Sequence, residues 1–142
     1  MKIRKLIVML AVFGTAFTAC KKETDEIALS SPTASNIEIG SSNSKIGRRG
    51  QDFHFNADVV AVSTIRSVQL RIAQKASQSY ARAWSLELNW PDYTGLKNAN
   101  VHKHLTIPSE APIGLYDFYF IVTDQNGSQL NIREDFTIAD PQ

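Results

Sequence analysis

From Asn36 onward, apolar side chains recur at every second position, and no stretch carries the 3.6-residue spacing of an amphipathic helix. Phe53, Phe55, Ala57 and Val59 alternate with Asp52, His54, Asn56 and Asp58. That period of two sends one set inward and the other to water. It returns at Val68, Leu70 and Ile72, at Trp84, Leu86, Leu88 and Trp90, and at Leu105 and Ile107. Tyr116, Phe118, Phe120 and Val122 follow it, as do Leu130, Ile132, Phe136 and Ile138. Seven strands are predicted, over residues 36–40, 51–60, 65–73, 82–90, 100–107, 115–123 and 129–138.

Turn chemistry falls between them: KIGRRG, WPDYTGLKN, PSEAPIG and DQNGS are rich in Gly, Pro, Asn, Asp and Ser. Short alternating strands with regular turns predict an all-β fold, a seven-stranded antiparallel immunoglobulin-like β-sandwich, with a barrel as the alternative. Tyr116, at the head of the sixth strand, stands where such domains place a tyrosine whose hydroxyl closes a corner between sheets. Trp84 and Trp90 share the parity of Leu86 and Leu88, which predicts core packing rather than a sugar-stacking platform.

The first 35 residues follow a different rule. MKIRK carries three positive charges, and LIVMLAVFGTAF, residues 6–17, is apolar or small throughout. This charged-then-greasy order is that of a secretory signal, and the run is shorter than the ~20 apolar residues that span a bilayer. FTAC, ending at Cys20, resembles the bacterial lipobox, although Phe17 stands where Leu or Val is usual. The resemblance implies a signal peptide over residues 1–19 and a lipidated Cys20 as the mature N-terminus. Two acyl chains there anchor a protein stably to a lipid bilayer. Residues 20–35, rich in Ser, Thr and charge, read as a flexible tether, and 36–139 as the sandwich. KKETDE after the cysteine is similar to the Lys-plus-acid signal that sends Bacteroidota lipoproteins to the cell surface. An outer-membrane anchor is therefore expected, with the periplasmic or surface-exposed side left open.

Charge and cysteine count narrow the function classes. The whole chain has 15 Lys and Arg against 14 Asp and Glu. Without Lys2, Arg4 and Lys5 the remaining 12 basic residues give a net charge near −2, so no nucleic-acid partner is expected. A lone cysteine forms no internal disulfide, and the fold must rest on its core.

The run GLKNANVHKHLTIPSEAPIGLYDFYFIVTDQNG, with IEIGSSN and QDFHFNADVVA upstream, is similar to small Bacteroidota lipoproteins of the domain-of-unknown-function family 4625. The resemblance spans roughly residues 32–138. It implies an immunoglobulin-like fold, no established activity and, because many members are rich in histidine, metal handling. This chain keeps His54, His102 and His104, but residues 73–83 lack the His and acid that relatives often carry. Asp117 and Tyr119 replace histidines of the sixth strand.

Read from the residues themselves, His102 and His104 lie at i and i+2, on one face of a strand and ~7 Å apart. The second and fifth strands of a sandwich are neighbours, so His54 joins them. Zinc or copper is the candidate cofactor, with Asn56 or water completing the shell; otherwise these are three solvent-facing polar positions and there is no cofactor. Lys103 has inward parity and is expected at the rim, its stem packed and its ammonium wet. Leu115, Tyr119 and Ile121 share the outward parity of their strand and make a candidate surface for an unknown protein or glycan partner. DQNG reads as a hairpin turn, and Lys45, Arg48 and Arg49 as a solvated one. Arg66, Arg71, Lys75 and Arg82 are a weaker candidate for a positive rim. No G-x-S-x-G, P-loop, dinucleotide fingerprint or H-E-x-x-H occurs, and the chain is not expected to be an enzyme.

Overall fold

A computed structural model describes residues 30–142, which form two β-sheets packed face to face. The signal segment, Cys20 and the first part of the tether lie outside the described residues. The strands are β1 (Thr33–Ile39), β2 (Ile46–Arg48), β3 (Asp52–Val60), β4 (Ile65–Gln74), β5 (Ser85–Asn89), β6 (Asn98–Thr106), β7 (Gly114–Asp124) and β8 (Gln129–Ala139). One sheet has the order β1-β3-β6 and the other β2-β8-β7-β4-β5. The sandwich therefore stands, but with eight strands rather than seven.

The core is what the alternation predicts. Phe53, Phe55, Ala57, Val59 and Val101 from the small sheet meet Val68, Leu70, Ile72, Phe118, Phe120 and Phe136 from the large one, and all are buried. Aromatic rings bridge the layers: Phe55 lies 4.8 Å from Phe120, and Phe53 meets Phe136 edge-on at 5.2 Å. Such contacts add about 0.5–1.5 kcal/mol each beyond the area they bury. Trp84 and Trp90 pack against this core with one side left in solvent. The Tyr116 hydroxyl, fully buried, donates to the Pro112 carbonyl at 2.7 Å, four residues upstream.

Three departures from the sequence reading have local causes. KIGRRG contains a strand rather than only a turn, because β2 pairs in parallel with β8, Gly47 opposite Ile138. A Cβ on Gly47 would stand 2.7 Å from the Phe136 ring and 2.9 Å from Ile107, so only glycine lets this strand press onto the core. This pair also makes the sandwich not wholly antiparallel. Residues 33–35, expected in the tether, pair instead with Val60, Val59 and Asp58 as the start of β1. Finally, β5 begins at Ser85 rather than at residue 82. The Gln74 side chain takes the place of a strand there, donating to the Arg82 carbonyl at 2.7 Å and accepting from the Trp84 N–H at 3.1 Å.

Candidate functional site

The outer face of the β1-β3-β6 sheet gathers the histidines. His54 faces His104 directly across the β3–β6 ladder, and His102 faces Asn56 one pleat further along. Strand alternation aims all three rings to the same side, and the antiparallel register closes the gap that sequence distance leaves open. The ring centroids are 5.0, 5.1 and 5.3 Å apart, nearly an equilateral triangle. One nitrogen from each ring lies within 4.8 Å of the others.

Two carboxylates stand behind this triangle. Asp52 Oδ2 is 2.7 Å from His104 Nδ1, and Glu38 Oε2 is 3.4 Å from His54 Nε2. A carboxylate beside one ring nitrogen keeps the proton there and leaves the lone pair on the other. The Asp52 hydrogen bond thus leaves the lone pair on His104 Nε2, which faces His54 Nδ1 at 3.4 Å. Two nitrogens at that distance either share one proton in an imidazole–imidazole hydrogen bond or turn both lone pairs to a single cation. Nitrogens ~2.0–2.1 Å from one tetrahedral zinc are about 3.3 Å apart, a spacing the His54–His104 pair already has and to which His102, within 4.8 Å, would close by a ring rotation.

Glu38 reaches this face only because β1 is irregular. Its register shifts between Ser35 and Glu38, where Asn36 takes a positive φ of 50°. The extra residue reverses parity, turning Ile37 and Ile39 to the core and Glu38 toward His54. Asn tolerates the left-handed backbone better than most residues. Its amide donates to Asp58 Oδ2 at 2.7 Å. Hydrogen bonds from Asn36 and then Asn100 hold the Asp58 carboxyl below its ordinary range, against a smaller opposing effect of burial.

Asn56, the expected supplementary ligand, is engaged elsewhere: its amide donates to the Asn36 carbonyl at 3.1 Å and its oxygen accepts from Asn100 at 3.0 Å. Glu38 and Asp52 are the residues that sequence reasoning missed. Asp52 was findable from its shared parity with His54, whereas the bulge concealed Glu38. A depression lined in part by Gly40, Ser44 and Arg48 adjoins Asp52 and His54, leaving open space beside the cluster.

Lys103 lies at the rim between the sheets. Its ammonium meets Asp92 at 2.9 Å and stands over the Tyr93 and Trp90 rings at 5.1 and 5.8 Å. The hydrogen bond to Asp92 raises the lysine above its usual range.

On the opposite sheet Leu115, Tyr119 and Ile121 are half-buried. Tyr119 lies between guanidinium groups, Arg71 at 4.4 Å and Arg133 at 5.9 Å. Beside it Asp117 accepts from Lys75 at 2.6 Å and Arg133 at 2.9 Å. Burial pushes the Asp117 carboxyl up, but these two cations outweigh it and hold it below the usual carboxylate range. Of the four cations weighed as a positive rim, Lys75 is thus paired with Asp117 and Asp135, and Arg82 donates to the Glu110 carbonyl.

No curated protein matches the chain by sequence. Among solved structures, a Niemann-Pick type C2 protein from Japanese carpenter ant superposes with a TM-score of 0.53 at 9% identity, over 76% of this chain and 92% of that one. Spo0M, the sporulation control protein of Bacillus subtilis, gives 0.51 at 11% identity, over 80% of this chain but only about half, 51%, of its own. These likenesses concern the fold alone. The sequence match lies elsewhere: the model of the domain of unknown function DUF4625 covers residues 18–139, and to that family the chain belongs.

Proposed function

We propose that this chain is a lipid-anchored, immunoglobulin-like binding module of the cell envelope, whose exposed histidine face takes up one late first-row metal ion, zinc or copper. The observation that carries the metal reading is the 3.4 Å approach of His54 Nδ1 to His104 Nε2, with a carboxylate behind each ring. His54, His102 and His104 would hold the ion. Neutral imidazole suits zinc and copper, whereas calcium and magnesium want oxygen. Three protein ligands leave a position for water or for a group brought by a partner. The face is open to solvent, which favours capture or transfer of an ion over a closed structural site.

The immunoglobulin-like assignment is favoured by the pairing order. Three strands, β1-β3-β6, oppose a sheet in which β8, β7 and β4 are central, matching the A-B-E and G-F-C arrangement of that fold. The buried Tyr116 hydroxyl bond favours it too. Anchoring rests on FTAC and the preceding apolar run, in keeping with the resemblance to Bacteroidota outer-membrane lipoproteins. Leu115, Tyr119 and Ile121 are a second candidate contact surface, favoured by a tyrosine ring held between two arginines. No catalytic role forms part of the proposal.

Calorimetric titration of the purified protein with zinc and with copper(II) tests the metal reading. One ion per chain, bound tighter than ~10 μM (roughly −7 kcal/mol) and lost in His54→Ala and His104→Ala, is expected. Weaker binding, or binding unchanged by these substitutions, would remove it.

A further inference from the structure

One pole of the sandwich differs chemically from the rest of its surface. Val60, Val62 and Leu96 are there, 50, 39 and 45% exposed, three of the largest apolar exposures on the described residues. They are brought together by backbone bonds linking the turn after β3 to the segment before β6. Ala61 N–H donates to the Lys97 carbonyl at 2.8 Å, Ile65 N–H to the Leu96 carbonyl at 2.8 Å, and the Lys97 ammonium to the Val62 carbonyl. Residues 60–64, 94–98 and 125–128, which build this pole, contain no Asp or Glu, and Lys97 is their one charge. The neighbouring Asp124 is buried, its oxygens taken by the Val62, Ser63 and Asn126 N–H groups. The far pole mixes the exposed Ile113 with the charges of Arg48, Arg49, Glu110 and Asp140.

The chain enters the fold at the apolar pole. The Ser30 carbonyl accepts from Ser128 Oγ at 2.7 Å and from the Asn126 amide at 3.3 Å. Nine residues lie between Cys20 and Ser30, ten Cα steps that span at most ~33–36 Å. A strand of eleven residues such as β7 is itself ~34 Å from end to end, nearly the whole of that span. An anchor at Cys20 therefore holds the Ser30 pole near the bilayer, and the far pole reaches it only if the intervening segment is stretched back along the whole body.

We infer that this pole is a membrane-docking surface, with Val60, Val62 and Leu96 seated among the lipid headgroups and Lys97 beside their phosphates. The inference rests on the proposed acylation of Cys20. Aliphatic side chains suit the interfacial zone, the Asp58 carboxylate two residues back along β3 from Val60 being engaged by Asn36 and Asn100, and a lysine there gains from anionic lipid. Docking also sets the histidine face. His54 lies six residues along β3 from Val60, ~20 Å, so the metal-binding face stands clear of the lipid and open to a partner.

The test uses the full-length protein, purified from membranes and reconstituted into vesicles of phosphatidylethanolamine and phosphatidylglycerol. Val62→Cys and, at the far pole, Ser109→Cys each carry an environment-sensitive fluorophore, and lipids with headgroup-level nitroxides serve as quenchers. The expected result is a blue-shifted, strongly quenched label at position 62 and a water-exposed, unquenched one at 109. Both labels in water, on protein whose Cys20 is shown by mass spectrometry to be acylated, would overturn the docking surface alone. A free Cys20 thiol would overturn the anchor and the docking together. A blue shift at 62 that rises with protein concentration and is not quenched by lipid would assign the pole to a second copy and overturn the inference.

Discussion

His54 and His104 meet across the β3–β6 ladder, Nδ1 to Nε2 at 3.4 Å, each with a carboxylate at its other nitrogen. Partners of that kind fix a tautomer, and removing them from a metal site typically costs 10–100-fold in affinity. Asp52→Asn and Glu38→Gln should each weaken zinc binding by about that range while leaving one ion per chain. The Asp52 effect should be the larger, since its contact is 2.7 Å against 3.4 Å. Calorimetry at fixed pH reads both.

The β1 bulge makes a separate prediction about the backbone. Asn36 sits at φ 50°, where a residue with an ordinary Cβ is strained by roughly 1–2 kcal/mol and glycine is not. Asn36→Ala should destabilise the fold by about 1.5–3.5 kcal/mol, because it adds the loss of the Asp58 hydrogen bond, about 0.5–1.5 kcal/mol, to the strain. Asn36→Gly should cost less than Asn36→Ala. Chemical denaturation compares them.

At Tyr116 the hydroxyl and its acceptor, the Pro112 carbonyl, are both buried. Tyr116→Phe keeps the ring packing against Tyr80 and Trp84 but leaves that carbonyl unpaired. A loss of about 1–3 kcal/mol is expected, seen as a lower urea midpoint with an unchanged slope.

Asp124 governs the acid response of the turn it closes. Burial pushes its carboxyl up, yet the N–H groups of Asn126, Ser63 and Val62, with Lys97 nearby, outweigh burial and hold it below the ordinary range. A depressed carboxyl contributes stability that is complete above its unfolded value, about pH 4, and is lost as pH falls through the lower folded value. Asp117 acts in the same sense. Asp124→Asn should therefore lower the melting temperature at pH 7 and shrink the drop in stability between about pH 4 and 2. Melting curves across that interval measure it.

Much of the site was legible because strand parity is a local property. Phe53 and Phe55 place His54 outward, Val101 does the same for His102, and the neighbourhood of β3 and β6 follows from a sandwich. What parity does not carry is long-range or irregular. The three residues of β2 form a strand only because β8 lies alongside and Gly47 fits against Phe136. Glu38 reaches His54 only through a one-residue shift at Asn36, and the outward face of β7 gains its shielding from Arg71 and Arg133 on two other strands. The start of β5 likewise depends on Gln74, ten residues earlier, occupying the backbone of Arg82 and Trp84.

The most direct measurement is the imidazole nitrogen spectrum of 15N-histidine-labelled protein through a zinc titration. The account predicts that all three rings respond together and saturate at one ion per chain, with His104 ligating through Nε2 and His54 through Nδ1. Rings that remain unchanged at one equivalent, or a response confined to a single histidine, would contradict it.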